Sequence, residues 1–281
     1  MTSSIKKKAL LKIKLMTKKV CYPDHWKDFS SMEINSNSYF ENVKNAQIWW
    51  YNDQISKLGK PVDRSIWDMT PQTYNAYYNP SNNEIVLPAA IFTVPGFRDE
   101  DLDDALVYGY AAASTIGHEI THGFDDEGKK FDEKGNLNNW WTKEDEDQFN
   151  KKAQLIVDQF NQFVVLDSLH VNGKATLGEN IADLGGVVLG LDAFKKKEQY
   201  KLGKPINGLT PTQRYFLGYA LGWLGHIRDE RLASQILTDV HAPAKLRVNG
   251  PFVHIPEFME AFQVKEGMKM HRADSIQVKI W

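Results

Sequence analysis

Two histidines four residues apart are the feature of this sequence with the clearest chemical meaning. They enclose a glutamate in the stretch His118-Glu-Ile-Thr-His122. Residues four apart lie on one face of a helix, so both imidazoles can bind the same metal ion. Glu119 is angled away from the metal but close enough to take a proton from a bound water. The pattern is typical of a zinc hydrolase, and the alternative is a pair of surface histidines beside an acid.

A catalytic zinc needs a further ligand, because such sites usually combine three protein ligands with one position left for water. The segment Glu179-Asn-Ile-Ala-Asp183 places two acids four apart in an apolar, glycine-rich stretch. We assign Glu179 to one zinc ion per chain, and Asp183 to the distal ring nitrogen of a liganding histidine. Asp125 can serve the other histidine in the same way. The alternatives are an exposed acid pair on a helix face and, for Asp125, an ordinary turn residue.

The elements that must position these residues are predicted to be mostly helical. Acidic starts, capping residues and apolar periodicity indicate helices over residues 103–122, from Thr142 to about 160, over 177–195, and after the Thr210-Pro211 and Ile255-Pro256 pairs. Aromatic and β-branched residues on both sides of a turn indicate one hairpin, with strands over 73–78 and 84–87. The expected fold class is therefore α+β, predominantly α, with a small sheet.

Composition excludes several classes of protein. The 281 residues carry a formal charge of −2, which gives no electrostatic reason to expect nucleic acid as a partner. No segment reaches the apolar length of a membrane span, and none resembles a signal peptide. A single cysteine, Cys21, excludes an intrachain disulfide and favours a cytoplasmic location, unless the chain is a piece of a longer protein. Residues 1–20 are expected to be a basic connector, and residues 21–281 a single catalytic domain.

Four motifs carry a resemblance to a known family. They are His118-Glu-Ile-Thr-His122-Gly-Phe-Asp125, Glu179-Asn-Ile-Ala-Asp183, Asn75-Ala76-Tyr-Tyr and His241-Ala-Pro-Ala-Lys-Leu-Arg247-Val-Asn-Gly. Together they resemble the catalytic half of the neprilysin and endothelin-converting-enzyme metallopeptidases, particularly the bacterial oligopeptidases. Shorter matches are Tyr22-Pro-Asp, Asn139-Trp-Trp-Thr142 and the terminal Ile280-Trp281. The resemblance spans nearly the whole chain and implies a thermolysin-like zincin fold with the two histidines on its active-site helix.

The resemblance also implies a role for each matched residue. His118, His122 and Glu179 would bind zinc, Asp125 and Asp183 would orient the histidines, and the catalytic side chains would be Glu119, His241 and Asp183. His241 would stabilise the oxyanion, although a lone histidine before Ala-Pro is more often a loop or core residue. We further expect Asp183→Ala to weaken zinc binding and to leave the fold intact.

Peptide substrates are the partners that the resemblance implies. Asn75 and Ala76 would hold the substrate backbone, and Arg247 would grip a substrate carbonyl. Ile91 and Trp223 would line the hydrophobic pocket for the substrate residue on the carboxyl side of the scissile bond. From the residues alone, Arg247 is nearly as consistent with a structural ion pair, and Ile91 and Trp223 with an ordinary core.

The function expected from these observations is a zinc endopeptidase that cuts on the amino side of hydrophobic residues, with Glu119 activating the water. The resemblance also implies a large N-terminal helical lobe, which we do not find in these 281 residues, so we expect the chain to be either a piece of a longer protein or a short form. The alternative function is a zinc-stabilised binding domain with little or no activity.

Overall fold

The computed structural model of the protein describes residues 1–279, so the Ile280-Trp281 pair lies outside the described residues. The α-helices are α1 Ser3–Leu15, α2 Tyr39–Ile55, α3 Asp104–Val107, α4 His118–His122, α5 Lys143–Asn161, α6 Leu177–Phe194, α7 Glu198–Leu202, α8 Pro211–Leu221, α9 Asp229–Thr238, α10 Ala244–Phe252 and α11 Pro256–Ala261. The strands are β1 Thr17–Cys21, β2 Tyr77–Asn79, β3 Glu84–Pro88, β4 Val164–Leu166 and β5 Leu169–His170. This mainly helical α+β architecture confirms the predicted fold class.

The larger of the two sheets in residues 1–279 has three strands in the order β1-β3-β2. β2 and β3 are the predicted hairpin, although β2 begins at Tyr77, four residues later than the aromatic pattern suggests. Asn83 ends the turn at a positive φ of 47°, a conformation that asparagine tolerates better than most residues. β1 pairs with β3 in parallel, which leaves β2 as an edge strand.

Residues 1–20, for which the sequence predicts a connector, form α1 and most of β1. Ile5 and Ala9 lie one turn apart on α1 and pack against Phe124 and Trp140. The many lysines conceal this apolar stripe in the sequence, because all of them except Lys12 and Lys19 remain exposed. A boundary after residue 20 would fall within β1. The division into a connector and a catalytic domain stays a prediction, as does the role of the first residues as a connector. Their continuation into a further lobe stays a prediction.

The predicted helix over 103–122 is helical throughout, but its winding changes along its length. The Asp103 side chain caps α3 by accepting a hydrogen bond from the Leu106 amide at 2.6 Å. The next ten residues, Tyr108–Gly117, are wound as a π-helix before α4 begins at His118. An Ala-rich pattern does not distinguish α from π winding, and π segments are frequent next to functional sites.

Glycines on α6 allow this helix to approach the active-site helix. A Cβ on Gly186 would lie 2.8 Å from the backbone nitrogen of His118, and a Cβ on Gly117 would lie 2.9 Å from the Gly186 Cα. A Cβ on Gly185 would overlap Thr121 in the same way. Helix–helix contact at backbone distance therefore brings the first turn of α6, with Glu179, beside the two histidines.

The Gly186 contact leads to a prediction about stability. We expect Gly186→Ala to destabilise the fold by about 1 to 3 kcal/mol, because the added methyl group overlaps backbone that cannot move aside. At a helical position without this contact, alanine would stabilise instead. Urea unfolding measures the change. Gly225→Ala is the control, since a Cβ there would meet no atom within 4 Å from the described residues beyond its two chain neighbours. A Gly186→Ala protein as stable as the control variant would contradict the close approach.

The main hydrophobic core is formed largely by side chains of α5, α6, α8, α10 and α11. Phe216 of α8 contacts the rings of Phe252 and Phe258, with centroids 5.0 and 5.3 Å away. Helix α5 begins as predicted, with the Thr142 hydroxyl accepting from the Asp145 amide at 3.2 Å. Among residues 1–279, no helix is long and apolar enough to cross a bilayer.

Candidate active site

Two elements bring three potential metal ligands together. His118 and His122 lie one turn apart on α4, and their Nε2 atoms are 3.0 Å apart. Glu179 reaches them from the first turn of α6, with Oε2 3.2 Å from Nε2 of His118 and Oε1 3.6 Å from Nε2 of His122. The ligand atoms of all three side chains lie within 4.8 Å of one another.

The outer nitrogens of both histidines face carboxylates. Nδ1 of His118 lies 2.9 Å from Oδ1 of Asp183, and Nδ1 of His122 lies 2.7 Å from Oδ2 of Asp125. An ionised carboxylate only accepts hydrogen bonds, so we assign the ring proton to Nδ1 in each histidine. Each neutral ring then presents the lone pair of its Nε2 to the space between the rings.

This proton assignment provides a test of whether a metal fits. Two lone pairs and a carboxylate converge on one point, and this arrangement is repulsive unless a cation lies between them. Two imidazole nitrogens and one carboxylate oxygen are a known ligand set of catalytic zinc. The side chains present therefore fit zinc, and the outer carboxylates fix the rings in the orientation that binding requires.

The pKa shifts of His118 and Glu179 also indicate that this cluster favours a bound positive charge. Burial alone would lower the pKa of His118, but Asp183 and Glu179 outweigh burial and raise this pKa to about 10. Burial opposes ionisation of Glu179, yet His118 and His241 hold the pKa of its carboxyl well below the usual range. Without a metal, protons would occupy this cluster, so zinc binding should release protons.

Glu119 lies on the wall of the cleft next to His118. Its side chain is largely buried, and its carboxylate makes no hydrogen bond or ion pair with the residues that the structure describes. The carboxylate is therefore available to a water molecule in the cleft. The cleft itself encloses about 500 Å³ between β2, the π-helical stretch, α4 and the start of α6.

His241, in the segment just before α10, also contacts the cluster. Its Nε2 is 3.2 Å from Oε2 of Glu179, and its Nδ1 is 2.7 Å from Oδ1 of Asp239. The same aspartate oxygen accepts the backbone amide of His241 at 2.9 Å. The Glu179 contact raises the pKa of His241, burial opposes this, and Asp239 adds to the rise. Asp239 was missed in the sequence, although an aspartate two residues before a histidine is a common turn arrangement.

Arg247 forms the ion pair that the sequence left as an alternative. Its Nε and Nη2 lie 2.8 Å from the two oxygens of Asp183, and Nη2 is 3.3 Å from Oε2 of Glu179. The guanidinium carbon is 4.0 Å from the ring centroid of Trp223. Burial alone would raise the pKa of Asp183. The charge of Arg247 and the hydrogen bonds from His118 and Arg247 outweigh burial, so the pKa of this carboxyl is lowered and the carboxylate stays ionised. Asp183 thus supports a histidine and an arginine of the same cleft.

A sequence model of peptidase family M13 matches residues 75–278 of this chain. This match covers most of the chain and all of the residues that form the cluster. The chain belongs to peptidase family M13.

Known M13 relatives agree with this assignment. The chain is 40% identical over 255 residues to an endothelin-converting enzyme homolog of Locusta migratoria, covering 90% of the chain and 35% of the relative. It is 36% identical over 284 residues to neprilysin-3 of Drosophila melanogaster, covering 97% of the chain and 36% of the relative. The chain therefore spans about a third of the length of the curated relatives it matches.

Solved M13 structures show the same fold. A Mycobacterium tuberculosis zinc metalloprotease in complex with an inhibitor superposes with a TM-score of 0.92 at 39% identity, covering all of this chain and 43% of that one. PepO from Lactobacillus rhamnosis superposes with a TM-score of 0.85 at 31% identity, covering all of this chain and 43% of that one.

The residues expected to bind substrate in this M13 chain do not all line the cleft. Asn75 and Ala76 line the cleft just before the edge strand β2, and Trp223 lines it on another side. Ile91 lies in a short 3₁₀ helix and packs against the hydrophobic cluster around Ala76. Within the described residues, Ile91 is not part of the cleft wall.

Proposed function

We propose that this chain carries the catalytic site of a zinc-dependent endopeptidase. The observation that supports the proposal is the convergence of His118, His122 and Glu179, with Glu119 beside them on the wall of the cleft. Membership of family M13 supports the same activity.

The three converging side chains would hold the zinc ion. A zinc ion bound there would polarise the peptide carbonyl and lower the pKa of a water molecule. Glu119 would act as the general base that takes the proton of the attacking water, and then as the acid that gives a proton to the leaving amine. Its carboxylate lies in the cleft without a hydrogen-bond or ion-pair partner among residues 1–279, which is consistent with both steps.

His241 would stabilise the negative charge that develops on the carbonyl oxygen. Its Nδ1 is held by Asp239, so the ring is fixed with Nε2 towards the cluster. A donor in a fixed position contributes about 3 to 4 kcal/mol to transition-state stabilisation in comparable sites. Asp239 would orient the ring in the same way as Asp183 and Asp125 orient the other two histidines.

The substrate would bind as an extended strand along β2. An edge strand has free backbone groups that can pair with a peptide, and Asn75 and Ala76 lie where such a peptide would enter the cleft. The indole of Trp223 would contact a hydrophobic side chain on the carboxyl side of the cut. We therefore propose cleavage on the amino side of hydrophobic residues.

Arg247 can combine the two functions considered for it. Nε and Nη2 bind carboxylates, whereas Nη1 makes no hydrogen bond with the residues that the structure describes. Nη1 would then donate to a carbonyl of the substrate while Asp183 holds the guanidinium in place.

Removing the metal tests this function directly. We expect the purified chain to hydrolyse a fluorogenic peptide containing an internal hydrophobic residue, to lose this activity on treatment with a chelator, and to regain it with one equivalent of zinc. Mass spectrometry of the products locates the cut. Cleavage that survives complete zinc removal would contradict the proposal, and zinc binding without cleavage would favour the alternative of a binding domain.

A further inference from the structure

Lys12 is a buried cation that the catalytic mechanism does not use. The side chain lies on α1 and is 1% exposed. Its Nζ donates to three backbone carbonyls, those of Gly123 at 2.7 Å, Gly128 at 2.8 Å and Phe131 at 2.8 Å. All three ammonium hydrogens are thereby used, and within residues 1–279 Lys12 has no carboxylate within ion-pair distance. Burial of this cation without a direct counter-ion is costly, so a specific role is expected.

The three carbonyls belong to the loop 123–131, which follows α4 and contacts His122 through Asp125. Gly123 follows His122, and Gly128 and Phe131 close the loop that carries Asp125. Asp125 uses Oδ1 to accept the amides of Glu127 at 2.9 Å and Gly128 at 2.6 Å, which leaves Oδ2 for His122. The position of the His122 ring therefore depends on the conformation of this loop.

The surroundings of Lys12 fix its ammonium group in place. The rings of Tyr78 and Phe124 lie 5.9 and 5.5 Å from Nζ. The backbone carbonyl of Lys12 accepts the side-chain amide of Asn83 at 3.0 Å, and Asn83 in turn accepts the Tyr78 hydroxyl at 2.8 Å. Tyr78 lines the cleft. The lysine thus connects α1, the hairpin and the loop after α4 at one point.

We propose that Lys12 is a positioning residue for the zinc site, which acts by holding the loop 123–131 so that Asp125 orients His122. Lys12 lies outside the stretch 75–278 that defines the family match. The inference rests on the proposed function, because it requires His122 to bind zinc. It assigns to the N-terminal helix a part in metal binding rather than in packing alone.

A double-mutant cycle on zinc affinity tests the proposal. We expect Lys12→Met to weaken zinc binding about 10- to 100-fold, as measured by competition with a chromophoric chelator, since residues that orient a metal ligand typically have effects of this size. Lys14→Met is the matched control on the exposed side of the same helix and should bind zinc like the parent chain. In an Asp125→Ala background, Lys12→Met should change zinc affinity less than about threefold, because its effect passes through Asp125.

The outcomes separate this inference from the proposed function. If the parent chain binds no zinc, the proposed function fails. If the parent chain binds zinc and cleaves peptides but Lys12→Met binds zinc equally well, only the role of Lys12 is overturned. Independent, multiplying effects of the Lys12 and Asp125 changes would overturn it too, since they would indicate a general loss of structure. Should Lys12→Met fail to fold, the same cycle with Lys12→Gln, which keeps one donor group, decides between these outcomes.

Discussion

Replacement of Glu119 by glutamine is expected to reduce kcat for peptide hydrolysis by about 10²- to 10⁴-fold, because an amide cannot take the proton of the attacking water. Zinc affinity should change little, since Glu119 is not part of the set formed by His118, His122 and Glu179. The expected pattern is a fully metallated, folded and nearly inactive protein. Steady-state kinetics with a fluorogenic peptide, together with metal analysis, measures both properties.

Glu144→Gln is the control for this variant. It makes the same chemical change at an exposed side chain in the first turn of α5, which does not line the cleft in the part of the chain that the structure describes. We expect this control to retain the parental kcat. Equal turnover by the parent chain and Glu119→Gln would remove Glu119 from the mechanism and favour a different base.

Replacement of Asp183 by alanine is expected to affect both the fold and the metal. Asp183 is 1% exposed and binds His118 and Arg247 at once. Its removal leaves a buried guanidinium without its bidentate partner, and breaking a buried ion pair in this way costs about 3 to 5 kcal/mol. Zinc affinity should fall about 10- to 100-fold, because the His118 ring loses the group that orients it.

A second substitution identifies the cause of the stability loss. If the unpaired charge of Arg247 is responsible, the Asp183→Ala, Arg247→Met double variant should unfold at a higher urea concentration than Asp183→Ala alone. Zinc binding should remain weak in both. An Asp183→Ala protein with parental stability would show that the arginine pair contributes nothing to the fold.

The structure changes the expectation from sequence that Asp183→Ala leaves the fold intact, because Asp183 is buried and also binds Arg247. The His118-Asp183 contact could be inferred because both residues belong to motifs with a recognisable spacing. The Arg247-Asp183 pair joins residues 64 positions apart in sequence. Nothing in local spacing specifies which of the many acids an arginine will meet, so this contact had to come from the packing of α10 against α6.

Local patterns predicted the starts of α3, α5, α6, α8 and α11 and the presence of the hairpin, because caps, prolines and turn residues act over a few positions. They missed the helices α2 and α9. They did not reveal the π winding of Tyr108–Gly117 or the packing of Ile91 against the cluster that contains Ala76. Asp239 was overlooked because its partner, His241, was itself ambiguous in the sequence. These features depend on contacts between distant segments, which neither composition nor periodicity contains.

The parallel pairing of β1 with β3 has a practical consequence for shortened forms of the protein. A chain beginning at residue 75 would keep every proposed zinc ligand but would lose β1. The edge of β3 that pairs with β1 would then have backbone N–H and C=O groups without partners, and such open edges promote aggregation. Solubility of this domain therefore depends on residues that contribute no atom to the reaction.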